Sequence, residues 1–222
     1  MTKVTSVSKQ LDNQRNYWDS TVGDFDSIYS HGKSKLDNWI DATFRWDMYA
    51  RFDYTIENSA PIEGRTFLDV GCGTGRYAFE FLKRGARHVT GIDIAEKMLT
   101  VCRERAQAEG VSDRSAFIQS DLLQFKPDSK FDVTIGIGLF DYIPDALPVL
   151  TKMREVTTNR VIASFPLLWT WRAPVRRVRL ALKGCDVYFY SLEKMDALVK
   201  QAGFSKYNLE TVGQLYCVTM FV

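Results

Sequence analysis

Residues 68–75, Leu-Asp-Val-Gly-Cys-Gly-Thr-Gly, constrain this chain most: an apolar run breaks into glycines at every second position and then into a helical pattern. Glycines so spaced let the backbone turn tightly and approach a ligand with no Cβ in the way, while the N–H groups of the next helix face it. Residues 66–70 predict a buried strand leading into this turn, and residues 77–84 a helix leaving it. Residues 88–93 predict a second strand, and the acid that ends it, Asp93, stands where a carboxylate can accept both hydroxyls of a ribose.

The same rhythm continues. Ala95, Leu99, Cys102 and Ala106 fall on one face of a helix at the three-to-four spacing. Strands are expected at 116–119, 131–136 and 160–165, with a helix at 146–156 between the last two. A helix at 191–202 stops at Gly203, and runs at 207–211 and 215–222 read as a closing hairpin. Repeated strand-helix units with apolar strands predict an α/β fold whose parallel sheet is covered on both faces. Ahead of them, residues 14–58 are aromatic-rich and helical in pattern, with Trp39, Phe44, Trp46, Met48 and Phe52 expected to pack.

Composition limits the alternatives. A chain of 222 residues suits a single domain, read as 1–222. With 29 Lys+Arg against 27 Asp+Glu, the net charge of +2 gives no global field that would favour nucleic acid. Cys72, Cys102, Cys185 and Cys217 form no C-x-x-C pair, so neither a metal site nor a disulfide framework is expected. No apolar run spans a bilayer and no secretory leader opens the chain, so a cytoplasmic protein is expected.

The loop also discriminates between ligands. A dinucleotide fingerprint starting at Gly71 needs glycine or alanine at position 76, and this chain has Arg76. The form present suits a ligand with an amino-acid moiety and no pyrophosphate, and Asp69 could anchor its ammonium group.

Residues 66–143 resemble the class I S-adenosylmethionine-dependent methyltransferases in four ordered motifs. These are Leu68 to Gly75, Gly91-Ile92-Asp93, Ser120-Asp121-Leu122, and Phe131 to Ile135 leading into Gly138-Leu139-Phe140. The resemblance implies a three-layer sandwich: a mostly parallel seven-stranded Rossmann-like sheet with a C-terminal antiparallel hairpin and an N-terminal helical lid over residues 1–60. Residues 61–222 would form the cofactor core, with an insertion at 167–187 over the acceptor site. It further implies S-adenosylmethionine as cofactor. Gly71, Cys72, Gly73 and Gly75 would wrap its methionine part, with Asp69 near the ammonium, and Asp93 would take the ribose. Ile94, Asp121 and Leu122 would receive the adenine, Gly136 and Leu139 would line the cofactor from the fourth strand, and Met98, Tyr17 and Tyr29 are further candidates for contact with the cofactor. Asp132 is expected to be structural.

Methyl transfer from a sulfonium is an in-line displacement, so the protein has mainly to align donor and acceptor and exclude water. Where the acceptor must lose a proton, the candidates are Asp141 and Tyr142 after strand four and, in the N-terminal segment, Tyr17, Tyr29 and His31, the last in a polar turn. His88 precedes the second strand, away from the ligand end, and is given no role. The basic stretch 172–183 has three readings: contact with an anionic acceptor, contact with a membrane surface or nucleic acid, or a solvated helix face. Aromatic spacing at 16–29 and 214–221 is similar to small-molecule O-methyltransferases of the magnesium-protoporphyrin type, which favours a small-molecule acceptor. The expected activity is therefore methylation of an oxygen or nitrogen of a small metabolite. The alternatives are a nicotinamide-dependent oxidoreductase, or a cofactor-binding domain acting on RNA or a protein.

Overall fold

The computed structural model of the chain describes residues 14, 15, 18, 19, 37–168 and 186–222, with side chains described for all of these except 37–46. Their elements run α1 (Asp37–Asn58), β1 (Thr66–Val70), α2 (Arg76–Lys83), β2 (His88–Asp93), α3 (Glu96–Ala108), β3 (Ser115–Gln119), β4 (Phe131–Gly136), α4 (Ala146–Glu155), β5 (Thr157–Pro166), α5 (Leu192–Gln201), β6 (Lys206–Val212) and β7 (Leu215–Phe221). Expected and observed bounds agree within a residue or two, except that β5 starts three residues early. Its polar start survives burial because the Thr157 hydroxyl pairs with that of Thr134 at 2.6 Å and donates to the Met153 carbonyl.

The seven strands lie in the order β3-β2-β1-β4-β5-β7-β6. Neighbours from β3 to β5 are parallel, and β7 runs antiparallel to both β5 and β6. The chain winds outward from β1 to β3, then returns to β1's other side as β4. Loops leaving β1 and β4 therefore diverge, which opens a crevice at the carboxyl ends of these strands.

Successive strand residues point to opposite faces, and both faces are apolar. Phe67, Val89, Ile135, Ile162 and Cys217 join one core cluster with Tyr54, Phe81, Leu82 and Leu99, from α1, α2 and α3. Leu68, Ile92, Val161, Phe165 and Val218 join the other with Leu150, Met153 and Met195, from α4 and α5. Each fully buried side chain of this size contributes roughly 1.5–3 kcal/mol, so the sheet needs both helical layers.

Local chemistry sets the ends. Asp145 caps α4 by accepting from the Leu147 N–H, and Ser191 caps α5 by accepting from Lys194 N–H at 3.2 Å. Asp132 accepts from the Thr66 N–H (2.8 Å) and hydroxyl (2.9 Å), pinning the starts of β1 and β4 together as a structural acid should. His88 lies at the amino end of β2, where burial lowers its pKa. The last turns of α1 are fixed by a Tyr54–Thr219 hydroxyl pair (2.9 Å) and by Arg160 donating to the Asn58 carbonyl (2.8 Å). Arg76, at the first position of α2, stacks its guanidinium 4.5 Å over the Phe52 ring and so clamps α1 to α2. Among the described residues, no helix is long and apolar enough to cross a membrane.

Candidate active site

The crevice is a cleft of about 240 Å³. One wall comes from the turns after β1, β2 and β3, the other from the segment after β4, and Gln14, Trp18 and Arg51 complete it. The β1 turn has positive φ at Gly71 (70°), Gly73 (53°) and Gly75 (80°). At Gly75 a Cβ would also strike the Phe79 ring at 2.8 Å, so glycine is required there for conformation and for space.

Asp93 organises this wall. Its Oδ2 accepts from the Gly73 N–H and its Oδ1 from the Ala95 N–H, both at 2.9 Å. Each oxygen keeps a lone pair for a further donor. Burial raises the Asp93 pKa, while the Ala95 and Gly73 N–H groups oppose the rise and the nearby Asp19 charge adds to it. Met98, Ile94 and Leu122 supply apolar lining beside it. Asp121 also lines the cleft while its Oδ1 closes a turn onto the Leu123 N–H at 2.9 Å, so it serves both as turn residue and as cleft acid.

Four expected contacts lie behind the wall instead. Asp69 is 2% exposed, its Oδ2 has no hydrogen-bond partner, and burial followed by the Asp93 charge pushes its carboxyl up to about 7. It does not line the cleft. Cys72 turns its thiol inward, to within 2.9 Å of where a Gly91 Cβ would sit, and hydrogen bonding with the Cys102 thiol, then burial, raises its pKa. Gly75 is taken up in starting α2. Gly136 sits beneath Leu139, and a Cβ there would meet Met153 Cε at 3.0 Å. In each case the strand or turn direction aims the residue at the core.

The opposite wall carries Leu139, Asp141 and Tyr142. Its backbone is held from distant parts of the chain. Gly138 N–H donates to the buried Ser164 hydroxyl of β5 (2.8 Å), and the Tyr190 hydroxyl donates to the Phe140 carbonyl (3.2 Å). Tyr188 N–H donates to the Asp141 carbonyl (2.8 Å), and the Gln14 side-chain amide to the Tyr142 carbonyl (2.7 Å). Asp141 is 3% exposed, and the Tyr142 ring meets Trp18 edge-on with centroids 5.1 Å apart.

His31, Tyr17 and Tyr29 lie outside the described residues, as does the basic stretch 172–183. Gln14, Trp18 and Arg51 line the cleft although no sequence motif marks them as site residues. Arg51 is the cation on the cleft wall among the described residues, its Nη1 3.5 Å from where a Gly138 Cβ would stand. In the sequence it is one of two arginines, with Arg45, in an aromatic-rich helical pattern, and nothing there marks it as a site residue.

Comparison with known proteins agrees with this geometry. The family described as "Methyltransferase domain" matches residues 62–169. The chain is 30% identical to 27-O-demethylrifamycin SV methyltransferase of Amycolatopsis mediterranei, over 68% of this chain and 58% of that protein. It is 30% identical to tRNA U34 carboxymethyltransferase of Haemophilus influenzae, over 52% of this chain and 36% of that one. The chain thus spans about six-tenths of the length of the first of these relatives and about a third of the second. The fold resembles that of magnesium protoporphyrin IX methyltransferase from Synechocystis, solved with bound S-adenosylhomocysteine, with a TM-score of 0.73 and 21% identity over 93% of this chain and 96% of that one.

Proposed function

The chain belongs to the class I S-adenosylmethionine-dependent methyltransferases, and from that premise we propose that it moves the methyl group of S-adenosylmethionine to an oxygen or nitrogen of a small cytoplasmic metabolite. The observation that carries the reading is Asp93: a half-buried carboxylate already oriented by two backbone donors, with a lone pair on each oxygen left for a vicinal diol. Ile94, Met98, Leu122 and Asp121 beside it offer an apolar slot with one acceptor, which suits an adenine and its amino group. The wall at Gly71 and Gly73 leaves room for an amino-acid chain, and Arg51 at its far side supplies the charge to bind an α-carboxylate. Arg76 is committed to Phe52, which weighs against a dinucleotide.

S-adenosylmethionine, when bound, supplies an electrophilic methyl on a sulfonium. The chain's own contribution is alignment and water exclusion by Trp18, Leu139 and Tyr142, with Asp141 and Tyr142 as the described groups placed to take a proton from an acceptor. Calorimetric titration of the full chain with S-adenosylmethionine and S-adenosylhomocysteine should show saturable micromolar binding of both. Absence of heat with either at high micromolar concentration would overturn the reading.

A further inference from the structure

The buried face of helix α3 carries a thiol that reaches the glycine turn from behind. Cys102 is fully buried, and its Sγ donates to the Gly73 carbonyl at 3.2 Å. The Cys72 thiol points at the same oxygen from 3.7 Å. Among the described residues, no backbone N–H donates to this carbonyl, so its partners are thiols. At the other end of the same residue, the Gly73 N–H donates to Asp93 Oδ2 at 2.9 Å. Gly73 therefore has both of its polar groups tied to side chains, one from β2 and one from α3, and holds a positive φ of 53° between them. The fit around the sulfur is close, because a Cβ at Gly75 would stand 3.1 Å from Cys102 Sγ. A thiol suits this place: it packs as a small apolar group and still carries a donor, although a weak one. Solvent at so buried a position offers no substitute donor if the thiol is lost.

We propose that Cys102 is a positioning residue for cofactor binding: its thiol sets the Gly73 backbone so that the Gly73 N–H meets Asp93 and keeps that carboxylate aligned for the ribose diol. The proposal rests on the methyltransferase reading. It extends the cofactor wall past the short motifs into α3, where Leu99 and Ala106 on the same face serve packing alone. Cys102 touches no ligand itself, since Gly73 lines the cleft and Cys102 stands behind it. Its influence therefore falls on cofactor affinity through Gly73 and Asp93.

The test compares the full chain as wild type, Cys102→Ala and Cys102→Ser, with S-adenosylhomocysteine as the probe in calorimetry. Both substitutions remove the bulk of the sulfur, so they share the packing loss, and only serine restores a donor. Cys102→Ala should weaken probe binding by about tenfold, the effect of one lost hydrogen bond. Cys102→Ser should stay within about threefold of wild type, its shorter arm making the recovery partial. Without ligand, hydrogen exchange at the Gly73 amide should quicken in Cys102→Ala and recover in Cys102→Ser. Exchange at Ala95, bonded to the other Asp93 oxygen, should not change. The proposal is overturned if Cys102→Ala binds the probe as wild type does, or if Cys102→Ser is as defective as Cys102→Ala. Exchange that quickens equally at Gly73 and Ala95 would overturn it too, by making Cys102 a packing residue of the whole fold. Failure of the wild-type chain to bind the probe would instead remove the methyltransferase reading, while the exchange comparison would still decide whether Cys102 holds Gly73.

Discussion

The two walls of the cleft are built by opposite means. The wall after β1, β2 and β3 is assembled from neighbours: Gly73 and Ala95 converge on Asp93, and Ser120 N–H donates to the Asp93 carbonyl at 3.0 Å. The segment after β4 is tied down by Ser164, Tyr188, Tyr190 and Gln14, three parts of the chain far apart in sequence. The first wall is charged and confined to short motifs, whereas the backbone ties of the second are neutral hydrogen bonds. A site can thus hold one ligand by residue identity and position another by tertiary assembly.

If that contrast is right, one residue should suffice to disable the first wall. Asp93→Ala removes the carboxylate proposed to accept from two ribose hydroxyls and orphans the N–H groups of Gly73 and Ala95. Charge-assisted hydrogen bonds contribute about 1.5–3 kcal/mol each, so affinity for S-adenosylhomocysteine should fall by more than about 100-fold in calorimetry. A loss below about tenfold would mean that the ribose is not held at Asp93.

The same contrast explains what could be read in the sequence. The strands, the order of motifs and the place of Asp93 and Asp121 on the cleft were legible because each sits at the carboxyl end of a run that reads as a strand. Asp69, Cys72, Gly75 and Gly136 belong to the same motifs, but the pleat and the turn aim them into the core, and a motif does not state which way a residue points. Gln14, Trp18 and Arg51 were not legible as site residues, because their roles exist only after α1 and the N-terminal segment dock on loops distant in sequence. Arg76 could be read only as a departure from the dinucleotide pattern, and its partner Phe52 gives the positive reason for it.

The carboxyl buried behind the first wall should also cost stability as the pH rises. Burial and the Asp93 charge place the Asp69 carboxyl at about 7, far above the value of about 3.9 in an unfolded chain. The charged group acting on it is Asp93 from β2, with the Ala78 N–H of α2 opposing the rise. Because the folded pKa is the higher one, the folded state keeps a proton that the unfolded chain has lost, so this stability is complete below about pH 4 and disappears as pH rises through about 7. Asp69→Asn, having no proton to lose, should gain on wild type by about 1 kcal/mol between pH 6 and pH 7. Urea denaturation without ligand at several pH values checks this, and a difference that stays flat from pH 5 to 8 would show that Asp69 ionises normally.

The neutral wall gives the smallest effect. Ser164→Ala leaves the sheet packing nearly intact, because Ser164 is fully buried on β5 and alanine fills most of the same space. What it removes is the acceptor for Gly138 N–H, the first tie on the segment that carries Leu139, Asp141 and Tyr142. An unpaired buried N–H costs on the order of 1 kcal/mol or more, but three further ties remain at Phe140, Asp141 and Tyr142 to share the strain. Methyl transfer should therefore slow by about three- to fivefold while the Kd for S-adenosylhomocysteine changes by less than about twofold. Equal losses in rate and cofactor affinity would break the division between the walls, because the segment after β4 would then be holding the cofactor as much as the acceptor.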